Sequence, residues 1–303
     1  NYRNTISSKL SNLSLQLYGI MLKTGYVKSD DEYQNIDDYF NKHIAKFDED
    51  KFGFREKYWY YNANLWRSFL VQDFLSCYKF AHKWVTLFYD NPSMIYLNPV
   101  FFLKGNHYLL ESLFMLKYKS NFKKYLVQLE ETIHDPKFPV NDNIASLSFL
   151  YLYNNKLNYH ILEGSFAESE YLIPEVLYKM NQHSEHLDEH HEMLFYYKIA
   201  CIYFGNEKYT DSVFYLEKII NNKNLTMRED LMCFARLLYL ILHYELGNDY
   251  YLENQLKSTY KFLLKMNDLN EVQKEIIRFL KNLNSIYPGD IKKEFITMKE
   301  RFV

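Results

Sequence analysis

Apolar residues recur at steps of three and four along almost the whole chain. The first series is Ile6, Leu10, Leu13, Leu17 and Met21, which is the spacing of one face of an α-helix. The 303 residues include only 8 Gly and 6 Pro, too few turn-forming residues for a many-stranded sheet or a glycine-rich phosphate loop. The sequence therefore predicts an all-α protein.

From residue 54 onward the predicted helices come in pairs. The pairs are 54–71 with 73–90, 98–118 with 120–134, 142–163 with 165–182, 190–205 with 208–222, 227–246 with 249–266, and 269–286 with 290–302. The first five joints each end with an aromatic residue at or near the start of the second helix, at Phe74, Phe122, Phe166, Tyr209 and Tyr250. A two-helix unit that recurs every 41 to 48 residues is typical of an α-solenoid. We expect twelve or thirteen helices in all.

The segment 195–220 has the most regular pattern. Large, small and aromatic residues follow one another at fixed steps in it, at Tyr196, Ile199, Ala200, Tyr203, Ser212 and Leu216. This pattern resembles the tetratricopeptide repeat family. Residues 150–176 match it less closely, and Leu237, Leu240, Ile241 and Tyr244 repeat only its first-helix part. Ala200 and Ser212 are small, so we expect the two helices of this unit to approach closely.

The resemblance covers residues 54–266 and implies a right-handed α-solenoid of paired antiparallel helices. Residues 1–53 would then form an N-terminal helical cap and residues 267–303 a pair of C-terminal capping helices. In this family the first helix of each pair lines a concave groove. Carried over residue by residue, the groove positions are Trp59, Asn62, Trp66, His107, Asn154, Asn158 and Tyr197.

A groove lined by amides and aromatic rings has a clear chemical use. A side-chain amide both donates and accepts hydrogen bonds, so it can pair with the backbone of a peptide of any sequence. If Trp59, Asn62, Trp66, Asn154 and Asn158 line such a groove, each should be at least partly accessible to solvent. Two alternatives remain open for the stretch KYWYYNANLWRSF. Either neighbouring helices cover both of its apolar faces, or one of these faces lines the groove.

Residues suited to catalysis or metal binding are sparse. His186 and His190 stand four apart around Glu189, but the H-E-x-x-H order of a zinc protease is absent. The cysteines Cys77, Cys201 and Cys233 are far apart and lack a C-x-x-C spacing. The sequence contains no G-x-S-x-G nucleophile motif, no phosphate-binding loop motif and no dinucleotide-binding fingerprint. We therefore expect neither enzymatic activity nor a metal or other cofactor.

The charge and the hydropathy of the chain narrow the class of partner. A formal net charge of −2 gives no general attraction to nucleic acid or anionic lipid, and no apolar run reaches the length of about 18 residues that spans a bilayer. We expect a cytoplasmic protein that binds a protein or peptide partner, with no role for nucleic acid or membrane. The alternative hypothesis is a sensor or regulatory module in which a small peptide or ligand changes the solenoid's curvature, with an output domain upstream of Asn1.

Overall fold

The computed structural model describes residues 2–27, 29–44, 49–222 and 229–265, together with the single positions 275, 278, 279, 293 and 297. Within these residues the protein is all-α and contains no β-strand. The helices are α1 Tyr2–Thr24, α2 Asp30–Ile44, α3 Phe54–Leu70, α4 Phe74–Tyr89, α5 Ser93–Leu97, α6 Pro99–Met115, α7 Lys119–Ile133, α8 Asp142–Glu163, α9 Phe166–Glu170, α10 Ile173–Gln182, α11 Glu189–Gly205, α12 Tyr209–Ile220, α13 Glu229–Glu245 and α14 Asp249–Lys265. A short 3-10 helix, Glu49–Lys51, precedes α3.

The observed helices follow the predicted ones closely, with two differences among the described residues. The predicted helix 165–182 is divided into α9 and α10, and Pro174 lies in the first turn of α10, where its fixed backbone angle and missing N–H are tolerated. The short helix α5 was not predicted. The predicted helices 269–286 and 290–302 lie outside the described residues, apart from the single positions named above.

The five joints predicted inside the helix pairs share one backbone geometry. Each contains a single residue with a left-handed φ between 57° and 75°, at Gln72, Lys117, Gly164, Glu207 and Gly247. The next residue donates its N–H to a carbonyl five residues earlier, at 2.9 to 3.0 Å in all five joints, and the following helix begins one residue later. This is the Schellman ending of a helix. The same joint therefore recurs every 40 to 47 residues along the chain.

The chain divides into two compact units, residues 1–187 and residues 188–303. In the first unit α3 packs mainly against α1 and α4, α4 packs against α6, and α6 packs against α8. The Trp84 indole of α4 is buried at the centre of these contacts, 5.1 Å from the Tyr58 ring of α3. The predicted division at residues 53 and 266 is not tested by this partition and stays a prediction.

In the second unit the close approach expected from small residues is confirmed. Ala200 on α11 and Ser212 on α12 are both fully buried, and the Ser212 hydroxyl donates a hydrogen bond of 2.8 Å to the Ala200 carbonyl oxygen. On α13 Leu240 is buried, whereas Ile241 and Tyr244 are exposed. The small residue that packs α13 against α12 is Ala235, which joins Ala200 in one buried cluster.

Candidate binding surface

Helix α1 covers the central part of α3, including two residues of the predicted groove. The Ser14 hydroxyl of α1 donates a hydrogen bond to the Asn62 side-chain oxygen, and the Tyr18 ring lies 4.6 Å from the Trp66 ring. Asn62 is only 5% exposed and Trp66 only 9%. The expectation that both are accessible is therefore wrong, because α1 packs against α3.

The two amides predicted on α8 are also buried. Asn154 and Asn158 lie on a helix whose residues 148 to 155 are all buried, because α6, α7 and α9 pack around it. The expectation of solvent access is wrong here as well. In the stretch KYWYYNANLWRSF neighbouring helices cover both apolar faces. Trp59 is the exception on these faces, because it stays partly exposed.

Three neighbouring buried amides bond to their own helices. The side-chain nitrogens of Asn64, Asn106 and Asn155 each donate to the carbonyl oxygen four residues earlier, at 2.8, 3.0 and 2.7 Å. A buried amide without a partner would be destabilising. These amides thus satisfy part of their hydrogen-bonding capacity inside the fold.

Trp59 and His107 are the two predicted residues of the first unit that keep partial exposure. The Trp59 ring meets the Phe101 ring edge-on at 6.2 Å. The His107 ring stacks on the Tyr151 ring at 4.6 Å with an interplanar angle of 16°. Burial raises the pKa of Tyr151 to about 12, so this phenol is neutral at physiological pH. The His107 ring therefore stacks on an uncharged aromatic ring.

Five partly exposed residues of α6 lie on one face of that helix. They follow one another at steps of three and four, at Phe101, Lys104, His107, Glu111 and Phe114. The His107 Nε2 atom is 3.7 Å from a Glu111 carboxylate oxygen. We call Trp59 and these five residues of α6 the ring surface. It offers aromatic faces together with one cationic and one anionic side chain.

Tyr197, the last predicted groove residue, belongs to the second unit. It is partly exposed, and it packs against the buried cluster that contains Ala200 and Ala235. Its hydroxyl is hydrogen-bonded to the Cys201 thiol, and burial raises the pKa of both groups, that of Cys201 to about 11. Cys201 is therefore protonated near neutral pH, which makes it a weak nucleophile.

Sequence reasoning missed a recurring contact between a tyrosine, a carboxylate and a lysine. The Tyr61 hydroxyl donates to Glu49 at 2.7 Å, the Lys83 amine lies 2.8 Å from the same carboxylate, and that amine is 5.3 Å from the centre of the Tyr61 ring. Related tyrosine–carboxylate contacts occur at Tyr153 with Glu175, Tyr196 with Glu192 and Tyr239 with Glu217.

Three of these tyrosine–carboxylate contacts join neighbouring helical elements, whereas Tyr196 and Glu192 lie on the same helix. The lysine over the Tyr196 ring is Lys218, at 5.3 Å, and it follows Tyr196 by 22 residues, as Lys83 follows Tyr61. This separation of 22 residues is visible in the sequence at these two tyrosines, but the position of the carboxylate differs between them. Desolvation and the carboxylate both raise the pKa of each tyrosine, so the motif is a neutral phenol bound to an anion rather than an ionised base.

The His-rich segment has structural contacts. The Asp188 carboxylate caps the start of α11 by accepting the backbone N–H of His191 at 2.8 Å, and it also pairs with the Nδ1 atom of that residue. The His183 ring pairs with the Ser146 hydroxyl at 3.0 Å. In the part of the chain that the structure describes, no three His, Cys, Asp or Glu side chains are grouped to hold a metal ion.

No described helix is both long enough and apolar enough to cross a membrane.

Comparison of the chain with protein-family models, with curated proteins and with solved structures gives no match. The tetratricopeptide resemblance thus stays a prediction.

Proposed function

We propose that this chain is a non-enzymatic helical-repeat protein, an α-solenoid of paired antiparallel helices, which binds a segment of another protein. The five identical joints support the repeat, because one backbone geometry recurs at nearly constant intervals. The order of contacts supports the pairing. Phe54 at the start of α3 meets Phe88 at the end of α4, and Tyr58 meets Trp84, the order expected of antiparallel helices.

The observation that carries the binding proposal is the ring surface. On α3 and α6 the aromatic residues Tyr58, Trp66, Phe69 and Phe102 are buried, whereas Trp59, Phe101, His107 and Phe114 keep part of their surface in solvent. Rings of this kind supply much contact area with little loss of conformational entropy, and aromatic residues are enriched where binding energy concentrates. The buried amides Asn62, Asn154 and Asn158 are not part of this proposed contact.

The partner that fits best is a peptide segment with apolar side chains and at least one charge. Its apolar groups would lie against Trp59 and Phe101, and Lys104 and Glu111 would orient a charged residue beside them. Such rim charges contribute more to orientation and association rate than to affinity. The proposal therefore does not require a chain terminus or a particular backbone conformation.

A peptide-display selection against the purified chain tests the proposal. Selected peptides should share aromatic or aliphatic residues, and Trp59→Ala or His107→Ala should weaken their binding by about 1 to 3 kcal/mol each. Tyr171→Ala is the matched control, because Tyr171 is an exposed aromatic residue outside the ring surface. Equal affinity of the wild-type chain and the Trp59→Ala, His107→Ala double variant would contradict the proposal.

The regulatory alternative makes a different prediction for the same peptides. A scaffold keeps its shape when it binds, whereas a sensor changes curvature because each repeat contacts only its neighbours. Small-angle X-ray scattering with and without a selected peptide distinguishes the two, since only the sensor shows a changed radius of gyration.

A further inference from the structure

One side chain of α3, Arg67, contacts three residues of helix α2. Its Nη2 atom donates a hydrogen bond to the Asp37 carboxylate and, at 3.4 Å, to the Tyr33 hydroxyl. Its guanidinium carbon lies 6.0 Å from the centre of the Phe40 ring, within the range of a cation–π contact. Tyr33, Asp37 and Phe40 follow one another at steps of four and three, so they share one face of α2. One guanidinium thus contacts a hydroxyl, a carboxylate and a ring of the same helix face.

The remaining contacts of α2 with the fold are shallow. Of its fifteen residues only Phe40 and Ile44 are buried, and the Tyr39 hydroxyl donates to the side-chain oxygen of Gln16 on α1. A helix of this length is marginally stable in water by itself. Segments with few buried apolar contacts open at a lower free energy than the core does. The docked state of α2 therefore depends on a few contacts, and their removal should release the helix.

The Arg67 guanidinium has hydrogen-bonding capacity that α2 does not use. Asp37 pairs with it through one carboxylate oxygen, Oδ1, and the other oxygen accepts from the Asn41 amide at 2.8 Å. The Arg67 Nε atom is buried and has no hydrogen-bond partner. An arginine can hold a carboxylate through two parallel N–H groups, and this bidentate pair is stronger than a single bond. A carboxylate that used both Nε and Nη2 would bind Arg67 more strongly than Asp37 does.

The charge of α2 indicates the chemistry that its binding site accepts. The helix carries five carboxylates, three of them in its first turn, against Lys42 and His43 in the last turn. Acids in the first turn are stabilised by the helix dipole, but Asp37 lies in the middle of the helix, where this effect is lost. Arg67 supplies the opposite charge there. We call Gln16 and Arg67 the α2-binding face, which accepts an acidic amphipathic helix.

We propose that α2 is a displaceable occupant of the α2-binding face, and that an acidic amphipathic helix of a partner protein takes its place there. The partner helix has a carboxylate at the position of Asp37, an aromatic ring three residues later, as at Phe40, and an aliphatic residue four further on, as at Ile44. Its carboxylate pairs with both the Nε and the Nη2 atoms of Arg67. Helix α2 leaves this face while the chain still joins it to α1. The α2-binding face shares no residue with the ring surface, so the two proposals are tested separately.

The probe is a fluorescent synthetic peptide with the sequence of residues 29–44. Ser29 is included because its hydroxyl accepts the Glu32 backbone N–H at 3.3 Å, which caps the helix. In the wild-type chain α2 competes with this peptide at the high effective concentration of a tethered segment. Asp37→Ala with Phe40→Ala in the chain removes two of the contacts that α2 makes with Arg67. We expect this opened chain to bind the peptide about tenfold more tightly than the wild-type chain in fluorescence anisotropy.

A matched double variant controls for the loss of a carboxylate and of a second side chain from α2. Gln34 and Asp38 are exposed, and their side chains bond to each other at 2.8 Å. Gln34→Ala with Asp38→Ala should leave the contacts of Arg67 in place, so this variant should bind the peptide as weakly as the wild-type chain does.

An exchange of charge tests Arg67 itself. Arg67→Glu in the opened chain should abolish binding of the wild-type peptide and create binding of a peptide that carries Asp37→Lys. Loss of folding cannot produce this change of preference. Hydrogen exchange measured by mass spectrometry gives a second readout, because in the opened chain the amides of α2 should exchange faster while those of α3 stay protected.

Three outcomes would overturn the proposal. Equal affinity of the opened and wild-type chains for the peptide would show that α2 does not compete for this face. Unchanged binding of the wild-type peptide after Arg67→Glu would remove Arg67 from the contact. A wild-type dimer that Asp37→Ala with Phe40→Ala dissociates would assign the face to α2 of a second copy instead of a partner protein.

Discussion

Two glycines inside helices should respond in opposite ways to the same substitution. At Gly105 in α6 an added Cβ atom would lie 2.8 Å from the Nε1 atom of Trp84 and 3.0 Å from two further atoms of its ring. At Gly19 in α1 the added atom would meet nothing within 4 Å. The contrast isolates packing from helix propensity, because both changes gain the same propensity.

The size of the Gly105 effect follows from how firmly Trp84 is held. An ordinary contact begins near 3.4 Å, so the ring would have to move by about 0.6 Å to accept the methyl group of Gly105→Ala. The ring cannot move freely, because it is 1% exposed and packs against Tyr58 and Tyr108. Overpacking of this kind costs about 1 to 3 kcal/mol, and the gain in helix propensity offsets about 1 kcal/mol of it.

We therefore expect Gly105→Ala to lower the free energy of unfolding by about 1 kcal/mol and Gly19→Ala to raise it by about 0.5 to 1 kcal/mol. Urea unfolding followed by circular dichroism measures both values. The melting temperatures should differ by about 4 to 8 °C for a unit of this size. Tryptophan fluorescence should change only in Gly105→Ala. A Gly105→Ala variant as stable as Gly19→Ala would refute the close packing of Trp84 against α6.

Four further perturbations test separate features. Gly164→Ala should lower the free energy of unfolding by about 1 kcal/mol, because a left-handed φ of 75° disfavours a side chain; an unchanged urea midpoint would contradict the joint geometry. Ala200→Trp should lower it by roughly 1 to 3 kcal/mol through overpacking, and melting at the wild-type temperature would refute the tight α11–α12 contact. Asn62→Ala should lower it by about 1 to 3 kcal/mol by leaving the Ser14 hydroxyl buried without its acceptor, which a urea titration measures. Because burial raises the pKa of Tyr151 to about 12, the unfolded chain loses this proton first, so the contribution of Tyr151 to stability should be constant up to about pH 10 and be lost between about pH 10 and 12; melting temperatures that stay level across that range would contradict it.

The local elements were predictable because they depend on neighbouring residues. Steps of three and four located nearly every described helix, and Gly, Asn and Asp near the joints marked the helix ends. Three of the five left-handed positions, Gln72, Lys117 and Glu207, carry no glycine signal. The sequence therefore indicated where the chain turns, but the shared backbone geometry of the joints became visible only in the structure.

The candidate site was predictable only in part. Trp59 and His107 retain exposure as expected, whereas Asn62 and Trp66 do not. The pattern of α3 contains two apolar faces, and such a helix is compatible with either a groove or a second layer of helices. Nothing local distinguishes the two, because the residues that cover α3 lie on α1, 48 residues away from their contacts.

The sequence by itself determined that this protein is all-α and where most of its described helices lie, because hydrophobic periodicity and turn-forming residues act over a few positions. It also determined the close approach of α11 and α12, because Ala200 and Ser212 are small at matching places. Only the tertiary structure decided which apolar faces are buried. Burial depends on which distant helix packs against a face, and α1 packs against α3 with one face while Leu15 and Leu22 on its other side remain exposed.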